Sequence, residues 1–438
     1  DRYKLPQTLF HVMAIAERPT LANGKPDYAA LLARAEAERA ASGAATPQTS
    51  VAAIFASLLP GLTITPDSSF VSLGGDSLNY VDLTLALEEL IGELPKGWES
   101  MSVQQLELLR ASAQPRDGKS AYVKIDSDIV LRGVAISAVV VHHASSTDIF
   151  AGGVTALITL IGYSWARFQR RQLIAGAPWT MLKRLCGLVL APYFVLLLVL
   201  AAAGRHIPLS AWTLTANYDS GLRGIVLPLW FISAYTQATL VVAAAAILSP
   251  GFRRAVDKTP MRFGLTFVAL AFALTIGLQI LGDSYPARSL DQILPLIALG
   301  WCLAFADTPR RRAAVLAAAA LVTLADFISD RSMATPLWVS STPYWVMQSA
   351  WLALTIALLL WVPRIALPRF IAACVALVAS ASLTIYLTHV ALLWGIGRVV
   401  HSDAPGPAAA LLVIAMGAGV HQAVSYGLKR FVKTSAAI

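Results

Sequence analysis

The pattern of apolar and polar positions divides the chain into two unlike parts. Residues 1–128 mix polar and apolar positions, with helical apolar spacing in VAAIFASLL and YVDLTLALEELIG. From residue 129 onward, long apolar runs are separated by short loops. A run of about 20 apolar residues is long enough to cross a bilayer as a helix. We therefore predict a mainly α protein, with a polytopic membrane bundle behind a smaller polar region.

The apolar runs predict about ten membrane-spanning helices. Their bounds are about 129–146, 150–166, 182–203, 224–248, 262–281, 291–306, 312–329, 343–362, 376–398 and 407–428. Segment 369–381 is either the start of the ninth span or an interfacial helix before it. Cytosolic loops of membrane proteins carry an excess of Lys and Arg. With a cytosolic N-terminus every predicted inner segment is basic, whereas the outer ones carry only Arg205, Arg223, Arg288, Arg331 and Arg398.

Composition supports the membrane assignment and limits the chemistry. The chain is 57% hydrophobic and 13% charged, with a net charge of +9. Because the basic residues lie at predicted helix ends, we attribute this charge to topology and expect no nucleic-acid partner. All eight Glu precede residue 108, so a buried acid in the bundle must be an Asp, and Asp326 is the best candidate. The three Cys lack disulfide or metal spacing, and no metal is expected.

Ionisable residues interrupt the first predicted span, Ile129 to about Ser145, which reads IVLRGVAISAVVVHHAS. Ionisable side chains inside a membrane are costly and therefore indicate a functional site. Eleven residues at about 100° each bring His143 back to within about 20° of Arg132. The two side chains are expected on one face, about 16 Å apart along the axis. His143 should lie past the midplane, towards the outer side.

The first 45 residues contain PTLANGKPDYAAL, an extended run and an Asn-Gly turn followed by Lys25 and an Ala-rich helix. An ordinary strand–turn–helix would explain this pattern. The segment also resembles the closing motif of the adenylation domains of non-ribosomal peptide synthetases. That resemblance implies that Lys25 contacts the carboxylate and phosphate during adenylation. Since the large nucleotide-binding core is missing, we expect this chain to be the C-terminal part of a longer protein.

A compact helical unit is predicted over residues 46–115. At its centre, in FVSLGGDSLNYVDL, paired glycines allow a tight turn and Asp76-Ser77 begins a helix. A plain N-cap serine would explain this pattern as well. The GGDSL segment resembles the four-helix carrier domains of peptide and polyketide synthases. The resemblance implies that Ser77 carries 4′-phosphopantetheine, with Asp76 beside it, and that a phosphopantetheinyl transferase attaches the group in the cytosol.

Residues 129–430 resemble the acyltransferase-3 family of membrane acyltransferases. The hallmark of that family, an arginine followed by ten residues and a histidine, matches Arg132 and His143 in LRGVAISAVVVHHA. Weaker pieces follow in order, namely GGVTALITLIGYS, LKRLCGLVLAPYF, LWFISAYTQ and SLTIYLTHVALL. The chain departs from the family at Gly187, where many members have a second arginine, and at Tyr235, where many have glutamate. These departures leave the acceptor open.

The resemblance and the residue types together assign candidate roles. His143 is predicted to be the general base, because a neutral imidazole can take a proton from an incoming hydroxyl or amine. Arg132 is predicted to hold the phosphodiester of the arm, with a helix-end cation as the alternative. His389 is predicted to orient substrate or hold the oxyanion, or else to pack as a core histidine. The candidate substrate-binding residues are Trp230, Ser233, Tyr235, Asp326 and Arg184.

These features predict a multi-pass acyltransferase of the bacterial cytoplasmic membrane, fused to its carrier and with both termini in the cytosol. It would move an acyl or aminoacyl group from Ser77 to a hydroxyl or amine of a sugar, lipid or envelope polymer. Besides donor and acceptor, the expected partners are the upstream adenylation domain and membrane lipids. A non-catalytic membrane anchor, a lipid transporter and a proton-coupled transporter are the alternatives. The predicted boundaries are 1–45 (adenylation-domain tail), 46–115 (carrier), 116–128 (linker), 129–430 (membrane domain) and 431–438 (cytosolic tail).

Overall fold

The computed structural model describes residues 50–435, except 60–61, 76, 93, 96, 113–121, 146–149, 223, 281–288, 333–343 and 403. The predicted motif around Lys25 therefore lies outside the described residues. The part that is described is mainly α-helical, which confirms the predicted fold class. Its one sheet has two short antiparallel strands, β1 (Tyr122–Asp126) and β2 (Arg364–Pro368).

The carrier region, residues 50–112, contains three α-helices among its described residues. These are α1 (Val51–Leu58), α2 (Ser77–Ile91) and α3 (Val103–Ser112), and a 3₁₀ turn, Trp98–Ser100, takes the place of a fourth. The Ser50 side chain accepts a hydrogen bond from Ala53 N and caps α1. The buried core consists of large apolar side chains, among them Phe55, Phe70, Tyr80, Leu83, Leu87, Trp98 and Leu106.

The segment predicted as a linker is partly a strand. β1 pairs with β2, which follows more than 230 residues later in the chain, and Tyr122 lies opposite Pro368. The first helix of the bundle then begins directly at Ser127, whose backbone N donates to Pro363 O at 3.0 Å. A pairing of such long range leaves no local signal in the sequence, and it ties the start of the bundle to the loop before its last helices.

The helices that follow β1 are, in chain order, α4 (Ser127–Ser145), α5 (Gly153–Ser164), α6 (Arg170–Ile174), α7 (Trp179–Arg184), α8 (Ala191–Ala202), α9 (Leu209–Trp212), α10 (Trp230–Leu248), α11 (Pro250–Lys258), α12 (Pro260–Ile280), α13 (Leu290–Leu303), α14 (Pro309–Ser332), α15 (Tyr344–Trp361), α16 (Arg369–Ser380), α17 (Ser382–Val400) and α18 (Gly406–Ser435). Two π-helical segments, Trp165–Gln169 and Leu185–Leu190, join α5 to α6 and α7 to α8.

Six helical segments among the described residues are long and apolar enough to cross a membrane. They are Ser127–Ser145, Trp179–Ala202, Gly224–Leu248, Pro260–Leu278, Ser382–Val400 and Gly406–Val424. The apolar helices Leu290–Leu303 and Trp345–Trp361 are shorter than the about 20 residues that a span needs. The predicted count of about ten spans is therefore not confirmed. The predicted ninth span is divided, because α16 ends at Ser380 before α17 begins at Ser382.

Glycines allow the two central helices of the bundle to touch. A Cβ added at Gly162 in α5 would lie 1.8 Å from Ile297 O, and one at Gly300 in α13 would lie 1.8 Å from Thr159 O. Any side chain at these positions would collide with backbone. Small residues that let backbones approach are the usual means of packing helices in membranes.

The carrier region and the helical bundle that follows it share one hydrophobic core. Carrier side chains such as Phe70 and Leu83 pack in the same cluster as Ile129 of α4, Phe168 and Ala376 of α16. Helix α16, too short to span, therefore lies between the carrier and α4. The carrier sits against one end of the bundle, at the start of α4.

Candidate functional site

A cavity of about 170 Å³ opens in the bundle close to the carrier. Its walls come from the start of α4, from α5 and the π-helical segment after it, from α7 and the π-helical segment after that, from α10 and from the start of α17. Both π-helical segments of the bundle thus line this one space. Such segments are rare in proteins and occur frequently at functional sites.

Two arginines face this mostly apolar cavity. Arg132, 8% exposed, extends from α4, and Arg184 lies at the end of α7. Because both arginines line the same space, they supply it with the charge and the planar donor groups that suit a phosphate group. Asp128 lies one helical turn before Arg132 and interacts electrostatically with it.

Aromatic rings line the end of the cavity that is farther from the carrier. Phe231 and Tyr235 of α10 lie nearly parallel, with ring centroids 6.5 Å apart, and Phe231 also contacts Tyr386 of α17. The Tyr386 hydroxyl donates a hydrogen bond to Pro228 O, which anchors this ring to the segment before α10. The floor of the cavity is therefore held in place by a buried hydrogen bond.

The carrier motif lies at the other end of the cavity. A Cβ added at Gly74 would lie 2.6 Å from Thr180 Cγ2 and 3.5 Å from Gln172 Nε2. Gln172 in turn donates to Gln169 Oε1 at 3.1 Å, and Gln169 lines the cavity. The glycine turn of GGDSL is thus one side chain away from the cavity wall, and helix α2 begins three residues later at Ser77.

Two histidines meet beyond the cavity floor. The Nε2 atom of His389 in α17 lies 3.2 Å from the Nδ1 atom of His143 in α4. Nδ1 of His389 lies 2.6 Å from Tyr386 O, and Nδ1 of His143 lies 2.9 Å from Val139 O. A carbonyl oxygen only accepts hydrogen bonds, so both Nδ1 atoms carry a proton.

These contacts determine which nitrogen of each ring is basic. His389 donates through Nδ1 to Tyr386 O and presents the lone pair of Nε2 to the Nδ1 proton of His143. In the neutral tautomer of His143 the basic lone pair is consequently on Nε2. The pair can therefore take up a proton at His143, with the Val139 carbonyl and His389 Nε2 facing its Nδ1–H.

The other predicted substrate residues divide between the cavity and the core. Arg184 and Tyr235 line the cavity. Ser233 is fully buried in α10 and does not line the cavity. Trp230 does not line it either, and packs between the two main hydrophobic clusters.

Four predicted residues have no described side chain. Lys25 and Asp76 lie outside the described residues, and the side chains of Ser77 and Asp326 are also outside the description. The backbone places Ser77 as the first residue of α2 and Asp326 within α14. Their predicted roles stay predictions.

Sequence reasoning missed a polar cluster that joins the carrier to the bundle. Arg167 contacts the carrier residues Tyr80 and Glu99 on one side and Asp128 of α4 on the other. The Tyr80 hydroxyl donates to Asp126 Oδ2 at 2.5 Å. The sequence did contain a signal that Tyr80 lies near the site, because Tyr80 follows Ser77 by about one helical turn. The pattern of basic loops, however, predicts for Arg167 only that it is one of the basic residues of an inner loop.

Comparison with known families identifies the carrier. Residues 49–97 match the family described as phosphopantetheine attachment site. Such a domain carries 4′-phosphopantetheine on a serine, and a phosphopantetheinyl transferase attaches it, so the predicted cofactor and this partner are confirmed. No match was found among curated proteins or among solved structures.

The cavity residues fit this cofactor. The arm is anionic at its phosphodiester and otherwise long and slender, and the cavity offers two guanidinium groups at its wall and apolar side chains elsewhere. Among the residues that the structure describes, no group of His, Cys, Asp and Glu could hold a metal ion.

Proposed function

We propose that the protein is a membrane acyltransferase that uses its own carrier domain as donor. It would move an acyl or aminoacyl group to a hydroxyl or amine of a sugar, lipid or envelope polymer. The observation that carries the proposal is the His143–His389 pair, held 3.2 Å apart beyond a cavity whose other end adjoins the carrier motif. When bound, 4′-phosphopantetheine supplies the thiol that holds the acyl group as a thioester.

In this proposal His143 is the general base. Its Nε2 takes the proton of the acceptor hydroxyl or amine as that group attacks the acyl carbonyl carbon. The same nitrogen returns the proton to the sulfur as the carbon–sulfur bond breaks. General-base help of this kind contributes roughly 10²–10⁴-fold to a rate.

His389 is a positioning residue in this scheme. Its fully buried ring accepts the Nδ1 proton of His143 and so keeps the basic lone pair on the Nε2 atom of that ring. This proposed role differs from those predicted from the sequence, namely to orient substrate, to hold the oxyanion or to pack as a core histidine. A neutral His and two backbone carbonyls take the part that a carboxylate plays in many catalytic pairs.

The cavity arginines would hold the arm. Arg132 and Arg184 face one space at the carrier end, where a phosphodiester attached to the first residue of α2 would enter. Apolar walls then suit the remainder of the arm and its acyl group. We further propose that the carrier end faces the cytosol and that the acceptor approaches from the far side, as the positive-inside pattern and the depth of His143 indicate.

Three finer points also belong to the proposal. The apolar runs of the sequence and the basic loops between them support about ten spans in a bacterial cytoplasmic membrane, with both termini in the cytosol. The ordered motifs support membership of the acyltransferase-3 family. The motif around Lys25 supports an upstream adenylation domain that supplies the acyl group.

A discharge experiment tests the chemistry. The full chain, in proteoliposomes of bacterial phospholipid, is loaded on Ser77 by a phosphopantetheinyl transferase with radiolabelled acetyl-coenzyme A. We expect the label to leave the arm in the wild type and to appear in the lipid fraction or, as acetate, in the water. In His143→Ala, discharge should slow roughly 10²-fold or more, because the general base is removed.

Two controls make the result decisive. His142→Ala should discharge at close to the wild-type rate, because the His142 ring packs beside that of His143, with centroids 5.4 Å apart, but is neither of the groups that face the Nδ1 atom of His143. Ser77→Ala should take up no label at all, which shows that the label is carried there. Equal discharge rates in wild type and His143→Ala would overturn the proposal and favour a membrane anchor for the carrier.

A further inference from the structure

The contact between carrier and bundle centres on Arg167 and its partners Tyr80, Glu99 and Asp128, and we call this cluster the latch. We propose that closing this latch holds the carrier in the delivery position and hides the GGDSL turn, so that a phosphopantetheinyl transferase reaches Ser77 only when the latch is open. The docking surface on the bundle thus recognises the carrier domain of the same chain. The inference rests on the carrier assignment and not on the chemistry of transfer.

Charged and polar groups from both sides meet at one guanidinium. Arg167 Nη2 donates to Tyr80 OH at 2.8 Å and to Glu99 Oε1 at 3.0 Å, both on the carrier. Arg167 Nη1 donates to Asp128 Oδ2 at 3.2 Å on the bundle. Hydrogen bonds with a charged partner are the stronger kind, and this arginine makes them in both directions.

Tyr80 forms a second link across the same boundary. Its hydroxyl donates to Asp126 Oδ2, and Asp126 Oδ1 accepts from Arg364 Nε at 3.0 Å. The carrier helix that begins at Ser77 is thereby tied to both strands of the sheet within its first turn. Since Tyr80 follows Ser77 by three residues, this link positions the helix end that bears the modified serine.

Aromatic packing surrounds the polar latch. Phe168 of the bundle lies edge-on to Phe70 with centroids 5.5 Å apart and lies 5.1 Å from Tyr80. The Arg167 guanidinium carbon lies 4.8 Å from the centre of the Tyr80 ring. Phe168 also lines the cavity, so the surface that receives the carrier is continuous with the wall of the proposed arm site.

The docked position leaves no room above the glycine turn. Gly74 has φ +70°, and a Cβ built on it would lie 2.6 Å from Thr180 Cγ2. Gly74 and Gly75 are both buried. An enzyme that modifies Ser77 has to approach this turn, and the bundle already occupies the space beside Gly74. Loading and delivery must therefore alternate between an undocked and a docked carrier.

A disulfide lock tests the occlusion directly. A Cβ at Gly74 would lie 3.4 Å from Thr180 Cβ, close to the about 3.5–4.5 Å found across disulfides. The test protein is the full chain with Gly74→Cys and Thr180→Cys, and with the exposed Cys186 and Cys374 changed to alanine. Intact-protein mass spectrometry measures the attachment of phosphopantetheine from coenzyme A, first to the oxidised protein and then to the reduced protein.

We expect the oxidised protein to resist modification by at least about tenfold and the reduced protein to be modified normally. The disulfide should form within one chain, which a non-reducing gel distinguishes from a crosslinked dimer. Equal modification of oxidised and reduced protein would overturn the inference. A crosslinked dimer would also overturn it, because the carrier would then dock on a second copy.

A second set of variants needs no disulfide and no substitution of Gly74. Arg167→Met removes the latch, and Glu99→Gln weakens it from the carrier side. Both should increase the rate of phosphopantetheine attachment, Arg167→Met roughly tenfold, because charge-assisted hydrogen bonds are lost. Arg171→Met, an exposed arginine on the neighbouring helix, is the matched control and should leave the rate unchanged. An unchanged rate in Arg167→Met would contradict the latch even if the disulfide fails to form.

Discussion

The two ends of the cavity hold their functional groups by opposite means. At the carrier end, Arg167 and Arg364 meet three carboxylates, those of Glu99, Asp126 and Asp128. At the far end, the hydrogen bonds that orient the two imidazoles come from each other and from the backbone carbonyls of the same helices. One end therefore depends on formal charge and the other on neutral dipoles.

This difference between charged and neutral contacts indicates what each end of the cavity can do. These ion pairs are largely buried, with side-chain exposures of 16% for Arg167, 12% for Glu99 and 6% for Asp128, and such pairs contribute little net stability because their charges must be desolvated. When the two sides separate, water solvates the charges again, so these pairs suit a contact that must release. A buried neutral pair keeps a defined tautomer as long as its helices stay in register, so it suits a base that must not move. The cavity therefore lies between a carrier contact that can release and a histidine pair that is held rigidly.

Arg132 lies between the two ends, and removing it should have the largest effect of the variants below. In Arg132→Met, discharge of an acylated arm should fall roughly 10²-fold, because one or two charge-assisted hydrogen bonds to a phosphate are lost. Arg132→Lys should recover only part of the rate, since Lys offers no planar fork. Discharge assays on proteoliposomes measure both. A rate in Arg132→Met equal to that of wild type would show that Arg132 is a structural helix-end cation.

Changes at His389 probe the neutral end. His389→Leu removes the acceptor for the Nδ1 proton of His143 and should slow discharge about tenfold, since one hydrogen bond contributes about 1 kcal/mol. His389→Gln places an oxygen where Nε2 was and should recover most of the rate. Loss of a core contact alone would predict equal defects in the two variants. Discharge rates of the variants, together with their thermal unfolding, separate these outcomes.

Tyr80→Phe should have the smallest effect and should act only at the charged end. It removes the hydroxyl that joins Asp126 to Arg167 but keeps the ring between Phe70 and Phe168. Docking should weaken a few-fold. The measurement is the rate at which phosphopantetheine is attached to the otherwise native chain, and this rate should rise. Discharge from an already docked arm should change less than attachment does. A fall in the discharge rate larger than the rise in the attachment rate would contradict the separation of the two ends.

The pH dependence of docking follows from the same hydroxyl. Burial raises the pKa of Tyr80 well above its ordinary value of about 10, although the nearby Arg167 opposes this shift. The docked tyrosine therefore keeps its proton where an exposed one would lose it. The contribution of Tyr80 to docking should be full below about pH 10 and be lost only above that value. Wild type and Tyr80→Phe should consequently differ by a constant factor between pH 7 and 9.5.

Much of the architecture could be predicted from local patterns. The GGDSL turn identified the carrier because its glycines and serine lie together in five residues. The helical periodicity of the first span placed Arg132 and His143 on one face because a single helix repeats every 3.6 residues. The apolar runs indicated a membrane bundle, although a run of apolar residues does not reveal where a helix becomes too short to span or is split, as between α16 and α17.

The sequence by itself determined the chemistry that is available: a serine to carry an arm, an arginine and two histidines in apolar helices, and basic residues in the loops between apolar runs. Only the tertiary structure decided which of these groups meet. His389 is 246 residues from His143 and β1 is more than 230 residues from β2, and no local period relates positions so far apart. The latch at Arg167 is of the same kind, because its partners come from a carrier helix, a 3₁₀ turn, a strand and α4. Hydrophobic packing of separate helices brings such residues together, and that packing is a property of the whole chain.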